Sequence, residues 1–213
     1  MGQASETASR KPRADSLRNR ERLLVTARDV FSAGGPDASL EGVARAAGVG
    51  IGTLYRHFPT REALFQAVYR REVDQLVDLV ETLAAEGSPF EALRRWLHAF
   101  IGMVATKKGM LTALSPAAGS SKELYADSTV RLTRSISDLM TKAMAAGQIR
   151  DDITPDDMMR AVIGMCYAPG QPGWQHTVVR LVDVFVDGLR VQHDKSGPST
   201  PKTARRKTAT SKG

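Results

Sequence analysis

The sequence is poor in cysteine: Cys166 is the single one among 213 residues. One thiol closes no internal disulfide, so the fold has to rest on an apolar core, and the usage suits a reducing compartment. Long apolar runs are missing as well. None approaches the roughly 20 residues that a bilayer-spanning helix needs, and the opening stretch "MGQASETASRKPRADSLRNR" lacks the apolar segment of a secretory signal. Met1-Gly2 is followed by Ser5, one position too early for a myristoylation signal. The histidines, His57, His98, His176 and His193, show no ligand spacing, so no metal site is expected. No nucleophile–base pair is visible. Asp151-Asp152 and Asp156-Asp157 pair carboxylates, but they flank a helix start, where capping accounts for them without catalysis. The expectation from these absences is a cytoplasmic protein with no membrane partner and no cofactor, and not an enzyme.

What is present is a core and a basic excess. Apolar residues make up 42% of the chain and the net charge is +7. The excess lies in residues 10–70 and again in residues 194–213, while residues 71–193 are close to neutral. That asymmetry points to a polyanion for the N-terminal part, although mildly basic proteins without such a partner are common.

Apolar spacing is helical almost throughout. Leu23, Leu24, Ala27 and Phe31 form one face of a first helix that stops at Gly34-Gly35-Pro36. Ser39 is a good N-cap for a short helix carrying Leu40, Val43, Ala44 and Ala47, and a second short segment holds Val49, Leu54 and Phe58. Thr60 caps a long helix from Leu64 to about Ala85. Ser88-Pro89 opens the next, which carries Leu93, Trp96, Leu97, Phe100, Ile101 and Val104, with a short separate piece from Met110 to Leu114. A long helix from near Ser121 to Gly147 follows, then one opened by Thr154-Pro155, and a last one from about Trp174 to Val191. The expected class is all-α, with about nine helices. Residues 1–15 and 194–213 have too little apolar surface to offset their ordering entropy and read as a disordered arm and a disordered basic tail. The tail either adds non-specific DNA affinity or only solubilises.

The stretch "ARAAGVGIGTLYRHF", residues 44–58, concentrates Gly48, Gly50 and Gly52. A dinucleotide fingerprint needs G-x-G-x-x-G after a strand, and this is G-x-G-x-G after a helix. A P-loop needs Lys-Ser/Thr after its last glycine, where this chain has Thr53-Leu54. Two short helices joined by a glycine turn remain, a helix-turn-helix with Ala44 at the crossing, Gly48 in the turn and Val43, Ala47, Val49 and Leu54 inside.

Those residues carry a family resemblance. "SLEGVARAAGVGIGTLYRHFPTREALFQAV", residues 39–68, resembles the DNA-binding domain of TetR-family transcriptional regulators, and "RERLLVTARDVFSAGG", residues 20–35, resembles that family's opening helix. Gly48-Val49, Gly52-Thr53-Leu54-Tyr55, His57-Phe58, Arg61 and Leu64 are its strongest elements, and "GQIRDDITPDDMMRAVIGM" looks like the eighth-helix entry of one branch. The resemblance implies a three-helix reading head at 16–62 and a larger helical ligand-binding and dimerisation domain at 63–193. It implies double-stranded DNA as partner, contacted by Ser39, Arg45, Gly50, Ile51, Gly52, Thr53, Tyr55, Arg56, His57 and Arg61. Gly50 and Gly52 leave room for backbone to approach the duplex, Thr53, Tyr55 and His57 suit phosphate, and Arg61 suits a phosphate clamp. Arg56 is the candidate for base readout, since a guanidinium matches guanine bidentately. Glu41 is an acid where some relatives place a basic or polar groove contact.

The resemblance further implies an unknown, partly apolar effector and a homodimer. Trp96, Phe100, Met103, Met110, Tyr125, Met140, Met144 and Tyr167 either line the effector pocket or fill the core. Met158, Val162, Met165, Val178, Leu181, Val182, Phe185 and Leu189 form either the dimer interface or an internal stripe. Cys166 reads as a buried thiol, with a redox sensor as the alternative. The function expected is a regulator, of repressor type, on a palindromic site. The competing reading is a helical small-molecule-binding protein without a specific DNA target.

Overall fold

The structure, a computed structural model, describes residues 6–34, 38–114, 122–168 and 173–191, and all its regular elements there are helices. They are α1 (Glu6–Ala33), α2 (Leu40–Ala46), α3 (Ile51–His57), α4 (Arg61–Ala85), α5 (Pro89–Leu114), α6 (Lys122–Ala145), α7 (Pro155–Tyr167) and α8 (Trp174–Asp187). None of the described helices is long and apolar enough to cross a membrane.

Local chemistry accounts for the boundaries. Ser39 Oγ accepts from Gly42 N at 3.0 Å, and Thr60 Oγ1 accepts from Ala63 N at 3.1 Å. Each satisfies one of the orphan donors at a helix start. Thr154 and Asp157 complete a capping box on α7 with Pro155 in its first turn. The start of α5 is capped at long range: Gln148 Oε1 accepts from Phe90 N at 2.8 Å and from Ser88 Oγ at 3.2 Å.

The structure differs from the sequence reading in three boundaries. Helix α1 begins at Glu6, so residues 6–15 are helical in backbone, while residues 1–5 and 192–213 lie outside the described residues. The piece from Met110 to Leu114 is not a ninth helix. It continues α5 unbroken through Gly109, where α5 presses on α1. Helix α8 ends at Asp187; beyond it, Arg150 N donates to Leu189 O at 2.9 Å and Val191 N to Gln148 O at 3.3 Å.

One apolar core runs through head and body. Leu23, Ala27 and Phe31 of α1 pack with Val43, Leu54, Phe58, Leu64 and Val68, and the same cluster continues into α5, α6, α7 and α8. Helix α5 is the hub, touching α1, α4, α6, α7 and α8. Its Trp96 is fully buried, donates from Nε1 to Leu76 O at 2.8 Å and stacks on Phe100 with ring centres 5.6 Å apart.

Candidate nucleic-acid interface

Helices α2 and α3 meet at Gly48, which sits in the left-handed region at φ +64°. Val49 N donates to Ala44 O at 3.0 Å and Gly48 N to Arg45 O at 3.1 Å, the paired closure that a left-handed residue permits. Beyond the turn, Leu54 and Phe58 turn inward and are essentially inaccessible. At helical spacing that fixes which side of α3 looks out: Ile51, Gly52, Tyr55 and Arg56 are exposed, and Thr53 and His57 are half-buried. Ile51 is 39% and Tyr55 41% exposed, large surfaces for a short helix to leave in water.

A Cβ added at Gly50 or Gly52 meets no heavy atom within 4 Å. Packing inside the chain therefore requires neither glycine, and Gly52 in a helix costs roughly 1 kcal/mol against alanine. Helix α3 has no acidic residue in its first turn and ends with Arg56 and His57, next to exposed Arg61 at the start of α4. Arg45 is exposed on α2, and Ser39 is half-buried with its hydroxyl oxygen engaged by the cap, so only its O–H proton is left to offer. These groups are donors and small residues of the kind suited to phosphate and groove edges.

Arg20 was not foreseen. Its guanidinium carbon lies 4.7 Å from the centre of the Phe58 ring, and its Nη1 is buried without a hydrogen-bond partner. Arg20 precedes Leu23 and Leu24 by three and four residues, so it shares their stripe, and that spacing was the available signal.

The residues expected either to line a pocket or to fill the core mostly fill the core. Trp96, Phe100, Met110 and Met140 are packed into the core, Met144 is half-buried against it, and Tyr167 is 48% exposed. Tyr125 joins Tyr69 and Phe65, with ring centres 5.3 and 6.4 Å away, and Lys107 Nζ stands 4.1 Å above the Tyr125 ring. Met103 alone of the eight faces the groove of about 840 Å³ that opens between α1, α4, α5 and α8. Lys108, next to Lys107 on α5, donates from Nζ to Cys166 O at 2.7 Å, and the Nζ lies 4.1 Å from the Trp174 ring. Burial pushes the Cys166 thiol up to about 11, which disfavours the thiolate that redox chemistry needs.

The expected interface divides in two. Met158, Val162, Val178, Val182 and Leu189 are buried inside their own chain and have no surface to offer a partner. Met165 and Phe185 are half-buried and Leu181 is 50% exposed. The outward apolar surface consists of Leu181, Val184 and Phe185 on α8 with Ile163 and Tyr167 on α7, and Val184 at 71% is the most exposed of them. The expected set therefore mixes two faces, with Met165, Leu181 and Phe185 reaching the surface and the others forming the internal stripe.

Comparison with known proteins agrees with this geometry. The family described as "Bacterial regulatory proteins, tetR family" matches residues 23–68, and "Transcriptional regulator SbtR-like, C-terminal domain" matches residues 88–191. The crystal structure of the TetR transcriptional regulator SCO0520 from Streptomyces coelicolor is 46% identical, with a TM-score of 0.70 over 80% of this chain and 98% of that one. The TetR transcription regulatory protein from Mycobacterium vanbaalenii is 35% identical, with a TM-score of 0.65 over 84% of this chain and 99% of that one. The HTH-type transcriptional regulator SAR0097 from Staphylococcus aureus (strain MRSA252) is 35% identical over 85 residues, which span 39% of this chain and 44% of that protein. The chain belongs to the TetR family of transcriptional regulators.

Proposed function

We propose that the protein is a ligand-responsive repressor that binds a palindromic operator as a homodimer in the cytoplasm. The outward face of α3 carries this reading. Leu54 and Phe58 hold the helix from within, while Ile51, Gly52, Tyr55 and Arg56 stand free at its surface. A major-groove helix presents its first turns in this way. Residues 16–62 act as the reading head and 63–193 as the ligand-binding and dimerisation domain. Tyr55, Thr53, His57 and Arg61 anchor phosphates, and Arg56 reads a base edge.

A palindrome requires two heads at a fixed spacing, hence a two-fold dimer. The α7–α8 surface of Ile163, Tyr167, Leu181 and Val184 supplies the apolar patch for it. Repression follows from occupying a promoter. An effector that binds the DNA-incompetent spacing of the heads more tightly shifts the population and releases the operator.

The test is a gel shift on the DNA upstream of the protein's own gene. Binding should exceed that to random sequence and fall steeply with salt as phosphate contacts release counterions. Equal affinity for random DNA, together with no effect of Tyr55→Phe and Arg61→Ala combined, would refute it.

A further inference from the structure

The groove between α1, α4, α5 and α8 holds about 840 Å³, within the range of small-molecule sites. Its floor is apolar, made by Leu76, Leu79, Ala99 and Met103. Its wall carries Glu72 and Asp78 on α4 and the Arg28–Asp29 ion pair on α1, an acidic excess.

Glu72 is the unusual member. Only 8% of it is exposed, yet its Oε1 has no hydrogen-bond partner. Two cations stand nearby, and neither donates to that oxygen. Arg71 Nη1, itself buried without a hydrogen-bond partner, forms an ion pair with it at 3.7 Å, beyond hydrogen-bond reach, and Arg71 Nε donates to Glu21 at 2.8 Å. Arg28 is turned to Asp29, donating from Nε at 2.9 Å and from Nη2 at 2.6 Å. Burial pushes the Glu72 carboxyl above its ordinary range, and the fields of Arg28 and Arg71 only partly reverse the rise. A buried acceptor without a donor is a standing cost, relieved by a donor that enters the groove.

We propose that this groove binds a small organic cation, whose ammonium or amidinium N–H donates to Glu72 Oε1 while its apolar body lies on Leu76, Leu79, Ala99 and Met103. Asp78 adds charge of the right sign at the mouth. A neutral ligand of the same shape supplies no charge to the carboxylate, and an anionic one meets repulsion. The occupant also touches Asp29 and Ser32 of α1 and Gln175 of α8, so it joins the opening helix of the reading head to the body. Any consequence for operator release rests on the function proposed above. The site itself does not, and its test contains no DNA.

The probe is phenylbutylamine, titrated calorimetrically into the full chain beside phenylbutanol and phenylbutyrate. The amine should bind at least about tenfold more tightly than either analogue, the preference expected of a charge-assisted hydrogen bond. Glu72→Gln should remove that preference and leave the alcohol unaffected. Ala99→Trp, which fills the floor, should abolish binding of all three, and it keeps the test open if the Glu72 variant misfolds. The proposal is overturned if the alcohol or the acid binds as tightly as the amine, or if amine binding survives Ala99→Trp.

Discussion

The carbonyl oxygen of Phe31 occupies the place where a side chain at Gly109 would begin: an added Cβ would lie 1.7 Å from it. Helix α1 of the reading head thus rests backbone to backbone on α5 of the body. Gly109→Ala must drive the two helices apart, and overpacking of that kind costs about 1–3 kcal/mol. Urea denaturation should show a loss in that range. An unchanged midpoint would mean that the two helices separate freely.

Arg56 and Arg61 should fail in different ways. Arg56→Ala should weaken operator binding by about 1–3 kcal/mol and relax the preference at one base position. Arg61→Ala should weaken all sequences alike and lower the magnitude of the salt slope by about one. Binding titrations at several salt concentrations on matched and mismatched DNA separate the two. Both residues are exposed, so melting temperatures should stay near that of the parent.

Val184 and Val182 test the proposed dimer face of α8. Val184, 71% exposed, should tolerate a change to Arg as a folded chain while the dimer dissociates. Val182, fully buried, should lose the fold itself when changed to Arg. Sedimentation velocity with circular dichroism reads both outcomes. A Val184→Arg protein that remains dimeric would place the interface elsewhere.

Glu72 gives a pH dependence of known sign. Its folded-state affinity for a proton is raised above the ordinary value of 4.5, so its contribution is fully present below that pH and is lost as pH rises through the raised value. Glu72→Gln removes the loss. The stability of the variant relative to the parent should therefore increase from pH 4 to pH 7, measured by urea melts at each. A difference that shrinks over that interval would mean that the arginines dominate.

The head was legible because its constraints are local. A turn that needs φ above zero selects Gly48, and a 3.6-residue period selects Leu54 and Phe58 as the inner side, which by subtraction leaves Tyr55 and Arg56 outside. The body was less legible because its constraints are long-range. Trp96 and Phe100 look the same in sequence whether they line a cavity or fill one, and only the stacking against each other and the bond to Leu76 decide it. Helix α8 alternates Val178, Val182 and Val186 inward with Leu181 and Val184 outward, and nothing in its own period says which set belongs to the chain's own core. The close contact at Gly109 was hidden for the same reason: its partner, Phe31, is distant in sequence.

Three consecutive residues of α5 face three different neighbours. Lys107 lies over the rings of Tyr69 and Tyr125, Lys108 holds Cys166 O beside Trp174, and Gly109 meets the backbone of Phe31. Successive residues on a helix point about 100° apart, so together they key α5 like a splined shaft. Turning it by one residue would set a lysine against Phe31 and strip two aromatic seats of their cations. Rotation is thereby blocked, and the inexpensive movements left to α5 are sliding and tilting along its axis, the small shear motions of packed helices. Under the proposed ligand response, a signal crossing from body to head through this helix would travel as a displacement along the shaft and not as a twist.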